Sequence, residues 1–413
     1  MVNENWSECR LDEYLTLLTD YDANGSFADM ATNVHTEWGH GYAWYVRATD
    51  LEQNLPLSEV RYADKSSYDF LRKSTLYGGE LLMAKRGEIG KVYFFEMKTK
   101  YATLAPNLYL LKLNDKADSR FLYYYFLSKE GQRKIKAIKA STSLGAIYKD
   151  DVKRIMVPYI GIEEQKNIAA SLSDVDRLIA NLQKLIRKKK DIRQGTMQML
   201  VTGKKRLEGY SGEWVKINLA KNSKLKARIG WQGLTTAEYL DEGYSFLITG
   251  TDFEDGRINW NGCHFVNYDR YAQDPNIQVT NGDLLLTKDG TIGKVAFVTD
   301  LKRPATLNGG VFLVKPTTDA YTAHFMFYVL ESSVFKDFLQ QLSAGSTINH
   351  LYQKDLVKFD LFVPPTKEEQ EAIATILFDM DSDIHKLEEK LSKYQKVKQG
   401  MMEELLTGKV RLS

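Results

Sequence analysis

The sequence predicts an α+β chain: two similar β-rich globular domains joined by two long helices that pair as an antiparallel coiled coil, in a tandem repeat with pseudo-two-fold symmetry. Three observations predict it. The chain matches itself at a shift near 205 residues. Each copy of the match contains the apolar run, glycine-bounded turn and second β-prone run of a hairpin. Each copy is also followed by a long heptad pattern.

The first globular domain is placed at residues 1–157. Its hairpin reads GELLMAKRGEIGKVYF at 79–94, and the second domain, at 208–363, repeats it as GDLLLTKDGTIGKVAF at 282–297. Around this pair, GYAWYVRATDL at 41–51 matches GYSFLITGTDF at 243–253, and ATLAPNLYLLK at 102–112 matches ATLNGGVFLVK at 305–315. TSLGAIYKDDV at 142–152 matches STINHLYQKDL at 346–356. The stretches FLYYYFLSKEGQRKIKAI at 121–138 and HFMFYVLESSVFKDFLQQL at 324–342 read as helices packed on a twisted sheet.

The two spacer helices are placed at 158–207 and 364–413. Pro158 and Pro364 end the strand-like run before each, because proline disfavours helix for its predecessor and suits a first turn. EEQ follows in both copies, acidic residues complementing the dipole of a starting helix. The apolar seam runs Leu172, Val175, Ile179, Leu182, Ile186 in the first helix and breaks at Lys189. In the second it runs Leu377, Met380, Ile384, Leu387, Leu391, Tyr394. Gly203 and Gly408 stand where C-terminal caps belong. Antiparallel pairing is expected, placing the globular units that precede the two helices at opposite ends; parallel pairing is the alternative, and it needs the second globular domain to return its chain along the whole helix.

Composition narrows the function. Lys+Arg 56 against Asp+Glu 54 leaves a net charge of +2, so any nucleic-acid binding has to come from local patches. Two cysteines supply neither a disulfide framework nor a metal cluster. With no long apolar run and no basic-then-apolar start, a cytoplasmic protein without a membrane segment is expected.

KRGEIGKV suggests a phosphate loop, but such a loop has four residues between its glycines and Ser or Thr after the lysine. Here Val92 and Val295 follow Lys91 and Lys294. Glu80 with Lys85, and Asp283 with Lys288, suggest a nuclease core and lack a second acid at a matching spacing. No Asn-Pro-Pro-aromatic motif of a base methylase is present, and the histidines do not pair at zinc-ligand spacing. No catalytic, cofactor-binding or metal-binding residue is therefore assigned.

Surface chemistry suited to DNA remains. The candidates are Arg47, Arg61, Lys85, Arg86 and Lys91 in the first domain, and Lys226, Arg228, Trp231, Arg257, Lys288 and Lys294 in the second. Such side chains neutralise phosphates or read guanine in the major groove. Against this, scattered charge is usually only solvated, Trp44 reads as core, and the run RKKK at 187–190 reads as a solvated helix face.

The helix stretches VPYIGIEEQKNIAASLSDVDRLI at 157–179 and VPPTKEEQEAIATILFDMDSDI at 363–384 resemble those of specificity (S) subunits of type I restriction-modification enzymes. So do the closings QGTMQMLVTGK and QGMMEELLTGK, the connecting RLEGYSGEWV at 206–215, and GSTINHLYQKDL at 345–356. The resemblance runs from end to end.

It implies a non-catalytic DNA reader in which each globular domain is a target recognition domain for one half of a bipartite double-stranded site. The helices then set the gap and dock two methyltransferase (M) subunits, and nuclease-translocase (R) subunits complete the enzyme. S-adenosylmethionine, ATP and Mg belong to those partners and no cofactor to this chain. Two departures stand out: a short WSECRLDEYL opening, and Arg86 where the second hairpin has Asp289. A structural coiled-coil adaptor, an enzyme in its own right, and the specificity subunit of a cutter-methylase without a separate R subunit are the alternatives.

Overall fold

The computed structural model describes residues 6–140, 146–343 and 350–412, with the side chains of 139, 140 and 231 outside the description. The chain divides into two compact units: Met1–Gln183 with Glu389–Ser413, and Lys184–Glu388.

In the first unit an antiparallel sheet orders Leu15–Asp20, Leu108–Leu113, Leu81–Ala84 and Val92–Phe94. A five-stranded sheet orders Thr36–Trp38, Arg61–Ala63, Ala43–Val46, Ala102–Leu104 and Thr75–Leu76, with one parallel pair at Ala43–Val46 and Ala102–Leu104. Leu81–Ala84 is buried on both faces, which is why it reads as an unbroken apolar run rather than an alternating one. The strands Ser7–Arg10 and Met156–Tyr159 pair and tie the start of the unit to the end of its globular part.

The second unit repeats this plan. Ser223–Lys226, Val311–Pro316, Leu284–Thr287 and Val295–Phe297 form the first sheet. His264–Val266, Ser245–Ile248, Ala305–Leu307 and Gln278–Val279 form the other, and Val215–Asn218 pairs with Asp360–Val363. The two hairpins share one register, Leu81 facing Phe94 as Leu284 faces Phe297.

The helical stretches are each split by a serine: Ser119–Leu127 and Lys129–Ala140 in one unit, Ala323–Glu331 and Ser333–Leu342 in the other. Ser332 Oγ accepts from the Val334 amide and caps the new helix.

The long helices are Ile162–Val201 and Lys367–Leu405. Within the second unit Lys190 pairs with Glu388 and Arg193 with Asp381. The partner number falls as the helix number rises, so these segments run antiparallel. Within the first unit Glu164 pairs with Arg411 and Asp176 with Lys398, the same sense. Every seam residue named from the heptads is buried or half-buried, Leu172 and Leu377 completely. The helix continues through Lys189, where the apolar seam breaks, and that ammonium lies 3.2 Å from Asp383, so a charged residue at the seam's edge is held by an ion pair.

EEQ does more than complement a dipole. Glu369 receives Arg206 Nε and Nη2 at 2.8 and 2.7 Å, and Glu164 receives Arg411 in the same fork at 3.0 and 2.7 Å. Buried Gln165 accepts from the Asp118 amide at 2.8 Å and donates to the carbonyls of Lys116 and Ile160. Gln370 does the same with Thr322, Ala320 and Pro364. Each glutamine thus fastens a long helix to the start of an earlier helix of its unit, Ser119–Leu127 or Ala323–Glu331.

Candidate nucleic-acid interface

The hairpin turns explain their glycines without a phosphate. Gly90 and Gly293 have φ of +81° and +86°. A Cβ on them would collide with Ile135 and Leu339 respectively, so both are needed for close approach of a helix. Glu80 and Asp283 are turn caps: Glu80 accepts from the amides of Tyr77 and Gly78 at 2.8 and 2.7 Å, and Asp283 from Thr280 at 2.8 Å. Among the described residues no group of three His, Cys, Asp or Glu is placed to hold a metal.

The lysines that follow the first hairpin strand occupy one place in both units and have different surroundings. Lys85 is buried, 2.9 Å from Asp20 and 2.5 Å from Asp22, with its ammonium 5.7 Å from the Tyr109 ring centre. Burial alone would raise the Asp20 carboxyl, but hydrogen bonds from Lys149 and Lys85 outweigh it and hold the carboxyl below its ordinary value. Lys288 has the same aromatic neighbour, Phe312 at 5.4 Å, but its nearest carboxylate is Asp289 at 3.8 Å.

The register explains the difference. Leu110 faces Thr19 where Leu313 faces Lys226, so Ala227 takes the place of Asp20. Lys288 therefore keeps a positive charge that Lys85 has spent on its own domain.

Arg86 and Lys294 are exposed and Lys226 half-buried, and among the described residues none of the three has an ion-pair partner. Lys91 is 3.0 Å from Glu52 and 2.6 Å from Glu88. Asp289, the counterpart of Arg86, is paired with His350 Nδ1.

Arg47 and Arg61 meet on a residue that sequence reading missed. Their guanidiniums lie 4.6 and 4.8 Å from the ring centre of Trp38, which is 53% exposed and sits opposite Arg61 in the sheet. Arg47 is held by Asp50 through two hydrogen bonds, and Arg61 by Thr36 Oγ1 at 3.1 Å. An exposed indole flanked by two fixed cations suits a base face and a phosphate together. Trp44, by contrast, is core.

A tyrosine cluster recurs beside each sheet. Tyr42 stacks on Tyr101 at 4.6 Å and lies 5.6 Å from Tyr68; Tyr244 lies 5.0 Å from Tyr268 and 5.3 Å from Tyr271. The aligned pair Tyr42 and Tyr244 was its sequence signal.

In the second unit Arg228 is buried, donating to the Leu307 carbonyl at 2.9 Å, and so is not a surface cation. Arg257 lies 5.9 Å from the Phe378 ring centre and lines a cavity of about 500 Å³ with Arg193, Trp260 and Glu331. The Trp231 side chain lies outside the described residues.

The duplicated scaffold has a counterpart among known proteins. The profile of the type I restriction modification DNA specificity domain matches residues 4–194 and again 213–395. The chain belongs to the type I restriction-modification specificity family. This specificity-family chain is 26% identical over 375 residues to the putative type I restriction enzyme MjaX specificity subunit of Methanocaldococcus jannaschii, covering 87% of this chain and 85% of that one. It is 27% identical over 323 residues to the MjaVIII specificity subunit of the same organism, covering 73% of each.

The crystal structure of a type I S subunit from M. genitalium superposes with TM-score 0.62 at 17% identity, covering 98% of this chain and 97% of that one. A chain from a structural study of type I complex assembly and conformational transition superposes at 0.53 and 15% identity, covering 99% and 100%. At those identities the likeness is one of fold.

Proposed function

We propose that this specificity-family chain is the DNA reader of a type I complex. Each unit reads one half of a bipartite double-stranded site as a target recognition domain, and the helices fix the gap between half-sites. The observation that carries the reading is the pairing of one scaffold, repeated to the register of its hairpins, with unlike exposed surfaces. In the first unit Trp38 is exposed with Arg47 and Arg61 half-buried beside it; in the second Lys294 is exposed and Lys226 and Lys288 are half-buried. Two readers on a spacer multiply the modest discrimination of each.

Docking of two methyltransferase subunits is supported by the first long helix. Besides its buried seam it carries Leu178, Leu185, Ile192 and Met199 at seven-residue spacing, all exposed, a second apolar stripe suited to a partner. The chain itself has no catalytic role in this reading. S-adenosylmethionine, ATP and Mg act in the methyltransferase and nuclease-translocase subunits, and the complex works in the cytoplasm. No helix among the described residues is long and apolar enough to cross a membrane.

Co-expression with the methyltransferase subunit, followed by sequencing of the methylated genome, tests the reading. A two-part motif with a fixed gap is expected. Inserting residues in one long helix should change the gap and leave the half-sites alone. Absence of chain-dependent methylation, or a gap unmoved by insertions, overturns it.

A further inference from the structure

Among the described residues, four buried polar atoms of the second unit lack a hydrogen-bond partner, and two of them, on Arg228 and Gln232, lie in one short segment. Arg228 is 3% exposed, yet among the described residues its Nη1 has no hydrogen-bond partner and its guanidinium makes no ion pair. Its other nitrogens reach only neutral acceptors, the carbonyls of Leu307 and Arg270 and the Thr306 hydroxyl. Four residues on, Gln232 is 5% exposed and its Oε1 is also unpartnered. A buried guanidinium without a counter-charge and a buried amide oxygen without a donor each cost folding free energy. The two do not relieve each other, although they lie on the same turn.

In the first unit the register puts Tyr21 in the place of Arg228. There the ring packs in a small apolar cluster with Met30, Tyr45 and Leu71. The scaffold can therefore fill this position with carbon, and in the second unit it holds a guanidinium instead. Arginine and glutamine are the side chains whose forked donors and acceptors match guanine O6/N7 and adenine N6/N7. The segment 229–233, which follows Arg228 and contains Gln232, has a glycine at 230 and at 233 and carries Ile229 49% exposed. Lys226 and Lys288 lie alongside: Lys226 is two residues before Arg228, and the Lys288 amide bonds Gly310, next to Gly309 beneath the Arg228 carbonyl.

We propose that Arg228 and Gln232 read base edges in the half-site bound by the second unit, both groups exchanging an unsatisfied interior for a base pair when DNA arrives. This rests on the DNA-reading function above. It assigns the discriminating contacts of one half-site to two residues that are hidden without DNA, while Lys226 and Lys288 supply phosphate contacts beside them.

The test uses the full chain co-expressed with its methyltransferase subunit, comparing wild type, Arg228→Lys and Gln232→Ala by methylome sequencing and by binding to the wild-type site and its single-base variants. Arg228→Lys keeps the charge and loses the fork; Gln232→Ala removes an amide whose oxygen has no partner. Discrimination at one base pair each is expected to fall roughly 5- to 150-fold, within the same half-site, with the other half-site and the gap unchanged. If an assembled variant methylates the wild-type motif with undiminished discrimination, the proposal is overturned for that residue. Gln232→Ala decides for the pair if Arg228→Lys fails to assemble. A wild-type arm that binds no bipartite site overturns the reader function itself, and with it this inference, so the two failures are distinguishable.

Discussion

Replacing Arg193 by methionine should destabilise the second unit more than any other single charge removal along the helices. Its side chain is 11% exposed and donates to Asp381 at 2.8 and 3.0 Å and also to Glu331. Asp381 accepts the Tyr328 hydroxyl as well, at 3.0 Å. Removing one partner of a buried ion pair costs about 3–5 kcal/mol; since the carboxylates stay partly solvated, about 2–4 kcal/mol is expected here. The repeat supplies its own control. Lys398 occupies the same place in the first unit, making one contact to Asp176 at 2.6 Å, with Leu127 standing where Glu331 does. Lys398→Met should cost at most about 1 kcal/mol.

The pH dependence has a definite sign. Burial raises the Glu331 carboxyl above its ordinary value even with Arg193 beside it. Without the guanidinium it rises further, and a carboxyl raised in the folded state destabilises when ionised and is relieved as pH falls. The Arg193→Met penalty should therefore shrink between about pH 8 and about pH 5. Urea denaturation of both variants, with an Asp381→Asn double-mutant cycle, measures this. Equal costs for the two variants, or a penalty that grows toward acid, would refute the reasoning.

Three further outcomes follow from the geometry. Lys85→Met should destabilise the first unit by about 1–3 kcal/mol, with little change in the salt dependence of DNA binding. Acid unfolding should then begin at higher pH, because Asp20 loses one of the cations that depress its carboxyl; its stabilisation is present above the unfolded carboxylate value and lost as pH falls through the lower folded one. Lys288→Met should do the converse, sparing stability and reducing the slope of log K against log salt by about 0.9, read by titrations at several salt concentrations. Gly408→Ala should cost about 1–2 kcal/mol and more than Gly203→Ala in thermal melts: both glycines have φ near +70°, but the added Cβ would lie 2.9 Å from Trp6 in one case and 3.3 Å from Trp214 in the other.

What could be read in the sequence was whatever local pattern determines. Hairpins, heptad seams and the repeat depend on spacing along the chain, and the strands and helices appear where spacing puts them. The candidate site was legible only in part, because a side chain's availability depends on partners far away in sequence. Lys85 looks identical to Lys288 until Asp20, 65 residues away, folds onto it. Arg228 looks like a surface cation until Leu307 and Thr306 enclose it. Trp38 lies in a stretch without a match in the other half, so repeat-matching passed over it, although a lone tryptophan opposite an arginine in a short strand was a signal. The glutamine of EEQ was read with its acidic neighbours, when its function is to bridge a loop to a helix.

The distribution of likeness and difference between the units is itself physical. Groups that fasten one element to another recur: the Arg–Glu forks at Glu164 and Glu369, the glutamine clamps, the Asp–Tyr pairs at Asp176 and Asp381, and the glycines under Ile135 and Leu339. Gln165, Glu369 and Gln370 are buried, so a change at them disturbs several neighbours at once. The differences fall where a side chain is bounded on one side only or where a cavity accepts either filling. Arg61 stands where His264 does, by the pairing of Trp44 with Tyr62 and of Phe246 with Phe265. Arg86 stands where Asp289 does, Asp20 where Ala227 does, Tyr21 where Arg228 does. None of these exchanges disturbs the hairpin register or the helix clamps, so these positions can change without moving the long helices.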